Sequence, residues 1–187
     1  IFFEDEVRAD AKDTITYLHA HGVANRYLVT GDHMATALKV AACVGIDAKH
    51  VVADARPVDK LKTVERIAEP PVAFVGDGVN DAPVLVAADV GIALGAKGST
   101  AASESADVVI MKDAISKVAD VHAISRRTFK IARQSILTGI GLSVVLMLIF
   151  ATGKFSPVIG AAVQEIVDVV VIFNALRAHL PDKTHPC

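Results

Sequence analysis

Gly76-Asp77-Gly78-Val79-Asn80-Asp81 crowds two carboxylates and an amide onto one glycine-rich turn. Asp77 and Asp81 are hard oxygen ligands of the kind Mg2+ takes, and the glycines let a backbone turn sharply and approach a phosphate or metal. A lone Asp-Gly pair is most simply a capped polar turn. Here the apolar run Val72-Ala73-Phe74-Val75 enters the turn and Ala82-Pro83 leaves it. That context predicts the carboxyl end of a buried strand, where open α/β sheets bind ligands. Thr30-Gly31-Asp32 follows Tyr27-Leu28-Val29 in the same way. Its hydroxyl and free N–H groups suit phosphate oxygens, while Asp32 serves equally well as a helix N-cap. Lys60, after Arg56-Pro57-Val58-Asp59, would set a point charge beside a transferring phosphoryl group, although a lone lysine is ordinarily a solvated surface residue.

The elements that must position these residues follow from periodicity. Residues 8 to 21 predict an amphipathic helix with Ala9, Ala11, Ile15 and Leu18 on one face, stopped at Gly22. A second helix is expected from about 34 to 44, with Leu38, Ala41 and Ala42 inward and Gly45 as its stop. Val51-Val52 reads as a short strand. Pro57 opens a third helix carrying Lys60, Leu61, Val64 and Ile67, which Pro70-Pro71 ends. A short helix near 81 to 87, a strand at Val90-Gly91-Ile92-Ala93-Leu94 and a last strand at Val108-Val109-Ile110-Met111 complete the pattern. Strands alternating with helices imply right-handed crossovers and a mostly parallel sheet.

After Lys112 the composition changes. Residues 113 to 133 read as a basic helix ending in Arg126, Arg127, Lys130 and Arg133. Ile136 to Thr152 then holds no ionisable group, and Gly153-Lys154-Phe155-Ser156-Pro157 breaks the run. Val158 to Leu176 is a second apolar stretch, interrupted by Gln164, Glu165 and Asp168. Both are about long enough to cross a hydrocarbon core. The rival reading, a core helical hairpin, is weakened because this apolar sequence arrives after the α/β unit is complete. Basic residues before the first stretch, with Arg177 and Lys183 after the second, place both flanks in the cytoplasm. Mean hydropathy of +0.46 is high for a purely soluble domain, and a net charge of -2 speaks against nucleic acid as a partner. Two cysteines, Cys43 and Cys187, form no disulfide framework, and Cys43 in Ala-Ala-Cys-Val is expected to fill core. The chain opens in apolar sequence at Ile1-Phe2-Phe3, as if cut from something longer.

The order strand-Thr-Gly-Asp, lysine, strand-Gly-Asp-Gly-Val-Asn-Asp resembles the haloacid dehalogenase superfamily. Gly-Asp-Gly-Val-Asn-Asp-Ala-Pro is narrower and resembles the P-type ATPases, as do Ala88 to Gly95 and Ser105 to Ile110. Asp5-Glu6-Val7-Arg8 resembles that family's hinge, and Asn174-Ala175-Leu176-Arg177 its heavy-metal-transporting branch. The resemblance implies a Rossmann-like, haloacid-dehalogenase-like parallel sheet with helices on both faces, then two transmembrane helices. It implies residues 1–112 as the end of a phosphorylation domain and 113–135 as a linker helix. Residues 136–177 would be a transmembrane hairpin and 178–187 a cytoplasmic tail, in a multi-pass protein of the plasma membrane.

For the site, the resemblance implies Asp77 as ligand of a catalytic Mg2+, with Gly78, Asn80 and Asp81 orienting ion and phosphoryl group. Thr30 and Gly31 would hold phosphate oxygens, Asp32 would support attack on a phosphoenzyme, and Lys60 would neutralise charge. ATP would be bound mainly by a separate nucleotide-binding domain, and it phosphorylates an aspartate in Asp-Lys-Thr-Gly-Thr. The only Asp-Lys-Thr here, Asp182-Lys183-Thr184, lacks the glycine and a preceding strand. The nucleophile, actuator domain and other spans are therefore expected upstream of Ile1, as the rest of the pump to which this piece belongs. A soluble phosphatase of the superfamily, or a non-catalytic membrane-anchored module, are the alternatives.

Intramembrane ionisable groups are costly and usually functional. Glu165 and Asp168, three apart, can share a helix face with Gln164 nearby, to bind a transported ion or to pair within the helix bundle. Gln164 and Asp168 stand where copper pumps of this branch carry a Met-x-x-x-Ser pattern, and neither the Asp-x-Gly of zinc pumps nor His-Glu-Gly is present. Oxygen ligands argue against Cu(I) and for a divalent transition metal such as Zn2+ or Co2+.

Overall fold

In a computed structural model, which describes residues 7–67, 70–76, 79–95 and 104–179, the apolar runs become βα units. The order is α1 (Ala11–Ala20), β1 (Leu28–Val29), α2 (Met34–Val44), β2 (Val51–Val52), α3 (Pro57–Arg66) and β3 (Ala73–Gly76). There follow α4 (Ala82–Ala87), β4 (Val90–Leu94), β5 (Val108–Ile110), α5 (Ser116–Phe150) and α6 (Pro157–Ala175). Every ladder is parallel: β1 pairs with β2, and β3–β4–β5 form a three-stranded sheet with β4 central.

Alternation along β4 clothes both sheet faces. Ala93 packs with Leu85 of α4, whereas Ile92 and Leu94 face the other way onto Ile110, Val118 and Leu18. Gly91 is required by that packing: a Cβ there would lie 2.5 Å from the Leu85 carbonyl oxygen, inside any tolerable contact. β3 is an edge strand of its sheet, with Ala73 and Val75 exposed, so the expectation that it is buried is corrected.

α2 has its expected limits, and Gly45 closes it in the left-handed region at φ 79°. Its inward face is different. Ala37, Ala41 and Val44 are buried, while Leu38 and Ala42 are exposed. Both stripes satisfy helical spacing, and the alanine stripe lets the helix approach Ala11 and Val51 more closely than leucine would. Cys43 is likewise exposed, not core filler.

The chain divides into two compact units, Ile1–Val121 and His122–Cys187. In the second, α5 runs without a break through the junction expected near residue 135. It packs on α6 through Gly139, where a Cβ would meet Val171 at 3.3 Å, and through Gly160 against Phe150. Their apolar windows are almost wholly exposed, as befits helices that bury their surface in lipid.

Candidate functional site

The expected site residues of the α/β unit assemble as two groups. Lys60 projects from the first turn of α3, which Pro57 opens and the Arg56–Asp59 pair closes. Asp59 accepts from the Arg56 side chain and backbone N–H, which holds its carboxyl below the usual range. So positioned, Lys60 Nζ lies 2.8 Å from Oδ1 of Asp81. The side chains are 20% and 9% exposed, so the pair is largely withdrawn from water.

Asp81 ends the 3-10 turn Val79–Asp81 that leads into α4. Its other oxygen, Oδ2, sits 3.0 Å from where a Cβ on Gly76 would stand. A Cβ on Gly76 would also stand 2.8 Å from Cε1 of Phe74, so only glycine lets the end of β3 lie this close to the Phe74 ring and the Asp81 carboxylate. Asp77 and Gly78 lie outside the described residues. Asn80 is exposed on the same turn.

The second group is the turn after β1. The Thr30 hydroxyl donates to Asp32 Oδ2 at 2.8 Å and accepts from the Asp32 N–H at 3.2 Å. Thr30 and Asp32 carbonyls accept from Ala55 and Asp54 N–H groups at 2.9 and 2.8 Å, which fastens this turn to the one after β2. Asp54 adopts φ 51° and meets His33 Nδ1 at 2.7 Å. His33, not Asp32, occupies the N-cap of α2, so the capping role considered for Asp32 is not the one adopted. A Cβ on Gly31 would lie an ordinary 3.7 Å from the Ala55 carbonyl, so nothing in the fold itself demands glycine there. Among the described residues no hydrogen bond joins this group to Lys60 and Asp81.

On α6, Gln164 donates through Nε2 to Asp168 Oδ1 and to Ser143 Oγ of α5, each at 3.0 Å. Because a carboxylate can only accept, the amide nitrogen must be the atom that faces Asp168. Ser143 and Gln164 line a cleft of about 340 Å³ with Met147, Phe150 and Phe155. Glu165 is exposed, one residue round the helix from Gln164. Among the described residues no cluster of three or more His, Cys, Asp or Glu is placed to hold a metal.

A family model for haloacid dehalogenase-like hydrolases matches residues 1–89. The zinc-transporting ATPase of Synechocystis sp. is 39% identical over 181 residues, 95% of this chain and 25% of that protein. The manganese-exporting P-type ATPase of Mycobacterium leprae is 38% identical over 179 residues, 95% of this chain and 24% of its own length. The crystal structure of a zinc-transporting PIB-type ATPase in its E2.Pi state matches with a TM-score of 0.84 at 32% identity. That match covers 94% of this chain and 28% of the other. The chain belongs to the heavy-metal-transporting P-type ATPases. It spans about a quarter of the length of these curated relatives. As a chain of a P-type ATPase it is a membrane protein, with Ser116–Phe150 and Pro157–His179 long and apolar enough to cross a bilayer.

Several residues that contact the candidate site residues are not among those the sequence singles out. Asp54 and His33 brace the Thr30 turn, yet nothing local marks them. Ser143 had a usable signal: it is a polar residue inside an apolar run. Ser135, which is 4% exposed and accepts from Asn174 Nδ2 at 2.8 Å, stands just before that run.

Proposed function

We propose that this chain is part of an ATP-driven pump that moves a divalent transition metal across a membrane through an aspartyl-phosphate intermediate. The observation that carries it is the shielded Lys60–Asp81 pair at the end of β3, in one chain with two bilayer-length helices. Lys60 offsets phosphate charge, Thr30 and Gly31 hold phosphate oxygens, and Asp32, hydrogen-bonded to Thr30, supports attack on the phosphoenzyme. Asn80 orients the phosphoryl group. Asp77 and Asp81 would hold Mg2+ as hard oxygen ligands, with Gly78 beside them in the sequence. Mg2+ bound there supplies charge neutralisation of the transferring phosphoryl group. ATP is bound mainly by a separate nucleotide-binding domain of the intact pump, and the nucleophilic aspartate belongs to an Asp-Lys-Thr-Gly-Thr segment that these 187 residues do not contain.

Gln164, Asp168 and Glu165, now with Ser143, contribute oxygen ligands to the transported ion. One relative is a zinc-transporting ATPase and another a manganese exporter, which agrees with a divalent ion. The protein resides in the plasma membrane, with residues 1–135 and the tail on the cytoplasmic side and its other partners being its own actuator, nucleotide domain and spans.

The test is acyl-phosphate labelling of the intact protein from ATP. Asp77→Ala abolishes labelling, and Asp168→Ala removes metal-stimulated turnover while labelling in the presence of inorganic phosphate persists. Undiminished labelling of the Asp77 variant would show the Mg2+ role to be misassigned.

A further inference from the structure

At the start of α5 the Lys117 and Val118 N–H groups bond back to the Ala114 and Ile115 carbonyls at 3.2 and 2.9 Å. Ile115, which precedes Ser116, offers no side-chain acceptor, and the Ser116 N–H is taken instead by Asp10 Oδ2 at 2.9 Å, from 106 positions earlier. Asp10 is itself the N-cap residue of α1, yet its side chain makes no capping bond there. A carboxylate that would ordinarily cap its own helix is directed to a different one. The Ser116 N–H is also the foremost reason that the Asp10 carboxyl is held below the usual range, which keeps it charged at neutral pH. Beside it, Arg8 donates to the carboxylate and the carbonyl of Asp113, just before α5. That pair is exposed and adds little stability, but it fastens the same two segments. One turn further on, Val118 is 6% exposed against Ile92, Leu94 and Ile110.

We propose that Asp10 is a positioning residue for the pump cycle: by capping α5 it holds the root of the membrane-crossing helix in register with the sheet whose strand ends carry the phosphoryl site. The packing of Val118 fixes the helix laterally, but apolar contacts slide and rotate at small cost. A directed, charge-assisted hydrogen bond at the first helical N–H fixes its rotation and axial position. The Asp10 bond falls at the first N–H of the same continuous helix, Ser116–Phe150, that carries Ser135 and Ser143. The proposal rests on the pump function given above.

The test uses the intact pump with Asp10→Ala and, independently, Ser116→Pro. Proline is well accepted at the first helical position and removes both groups through which Ser116 meets Asp10, the N–H and the hydroxyl. Both variants should form acyl phosphate from ATP within twofold of the parent and melt within about 3 °C of it. Metal-stimulated turnover should fall about tenfold in each, and the double variant should be no worse than either single one, because both remove the same bond. Unchanged turnover would overturn the proposal. So would additive losses, or turnover, phosphorylation and melting temperature falling together, which is the pattern of a merely structural cap. Absence of acyl phosphate in the parent protein would sink the pump function and this proposal with it.

Discussion

Lys60→Met removes the one cation that, among the described residues, is bonded to the Asp81 carboxylate, which is 9% exposed. Breaking a buried ion pair from one side costs about 3–5 kcal/mol, because the surviving charge stays uncompensated in a poorly solvating site. Lys60 retains 20% exposure, so some water reaches the pair, and the lower end of the range applies, about 3 kcal/mol. Asp81 has little room to escape toward solvent. Its Cβ and Oδ2 lie 3.1 and 3.0 Å from the Cβ position of Gly76, so the carboxylate is pressed against the end of β3. A loss of that size lowers the melting temperature by roughly 6–12 °C in a chain of this length. Melting followed by circular dichroism reads it directly. Lys60→Met combined with Asp81→Asn should recover most of the stability, since a neutral amide no longer needs the partner, while acyl-phosphate formation stays lost in both. A Lys60→Met protein that melts within 1 °C of the parent would refute the reasoning, as would a double variant less stable than the single.

Two other substitutions separate fold from chemistry. Gly31→Ala is accommodated by the fold, with Ala55 an ordinary 3.7 Å away, so melting should be unchanged while phosphoenzyme turnover drops at least tenfold; equal activity would remove Gly31 from the phosphate-binding set. Gly91→Ala drives a methyl to 2.5 Å from the Leu85 carbonyl, which must retreat by roughly 0.9 Å to reach the 3.4 Å of ordinary contact, so α4 shifts as a whole. Overpacking of this kind costs about 1–3 kcal/mol, and because α4 begins at Asp81 the Lys60 pair should loosen with it, which a melt together with phosphate labelling will show.

The elements were legible because their signals are local. Gly45 stops α2 where expected, Pro57 opens α3, and Val90–Leu94 is the predicted strand to the residue. The heavy-metal P-type ATPase family was legible in the turn at Asp77 and in Asn174-Ala175-Leu176-Arg177, since a loop that handles phosphate tolerates few residue types. The choice between two helical stripes on α2 was not, because Leu38 and Ala37 both fit the period and only the closeness of Val51 and Ala11 decides which turns inward.

Of the chemistry, the sequence alone determined which residue types end which strands, since turn glycines, carboxylates and a strand entering them are read within about ten positions. Only the tertiary structure decided their partners. Lys60 could have been a solvated lysine until α3 laid it 2.8 Å from Asp81, 21 positions away. Gln164 and Ser143 met because α5 and α6 pack through small residues, and Asp10 found Ser116 across 106 positions because both are held at the margin of one core. Hydrogen bonds reach only about 3 Å, so a pairing between distant residues exists only once packing has placed both ends.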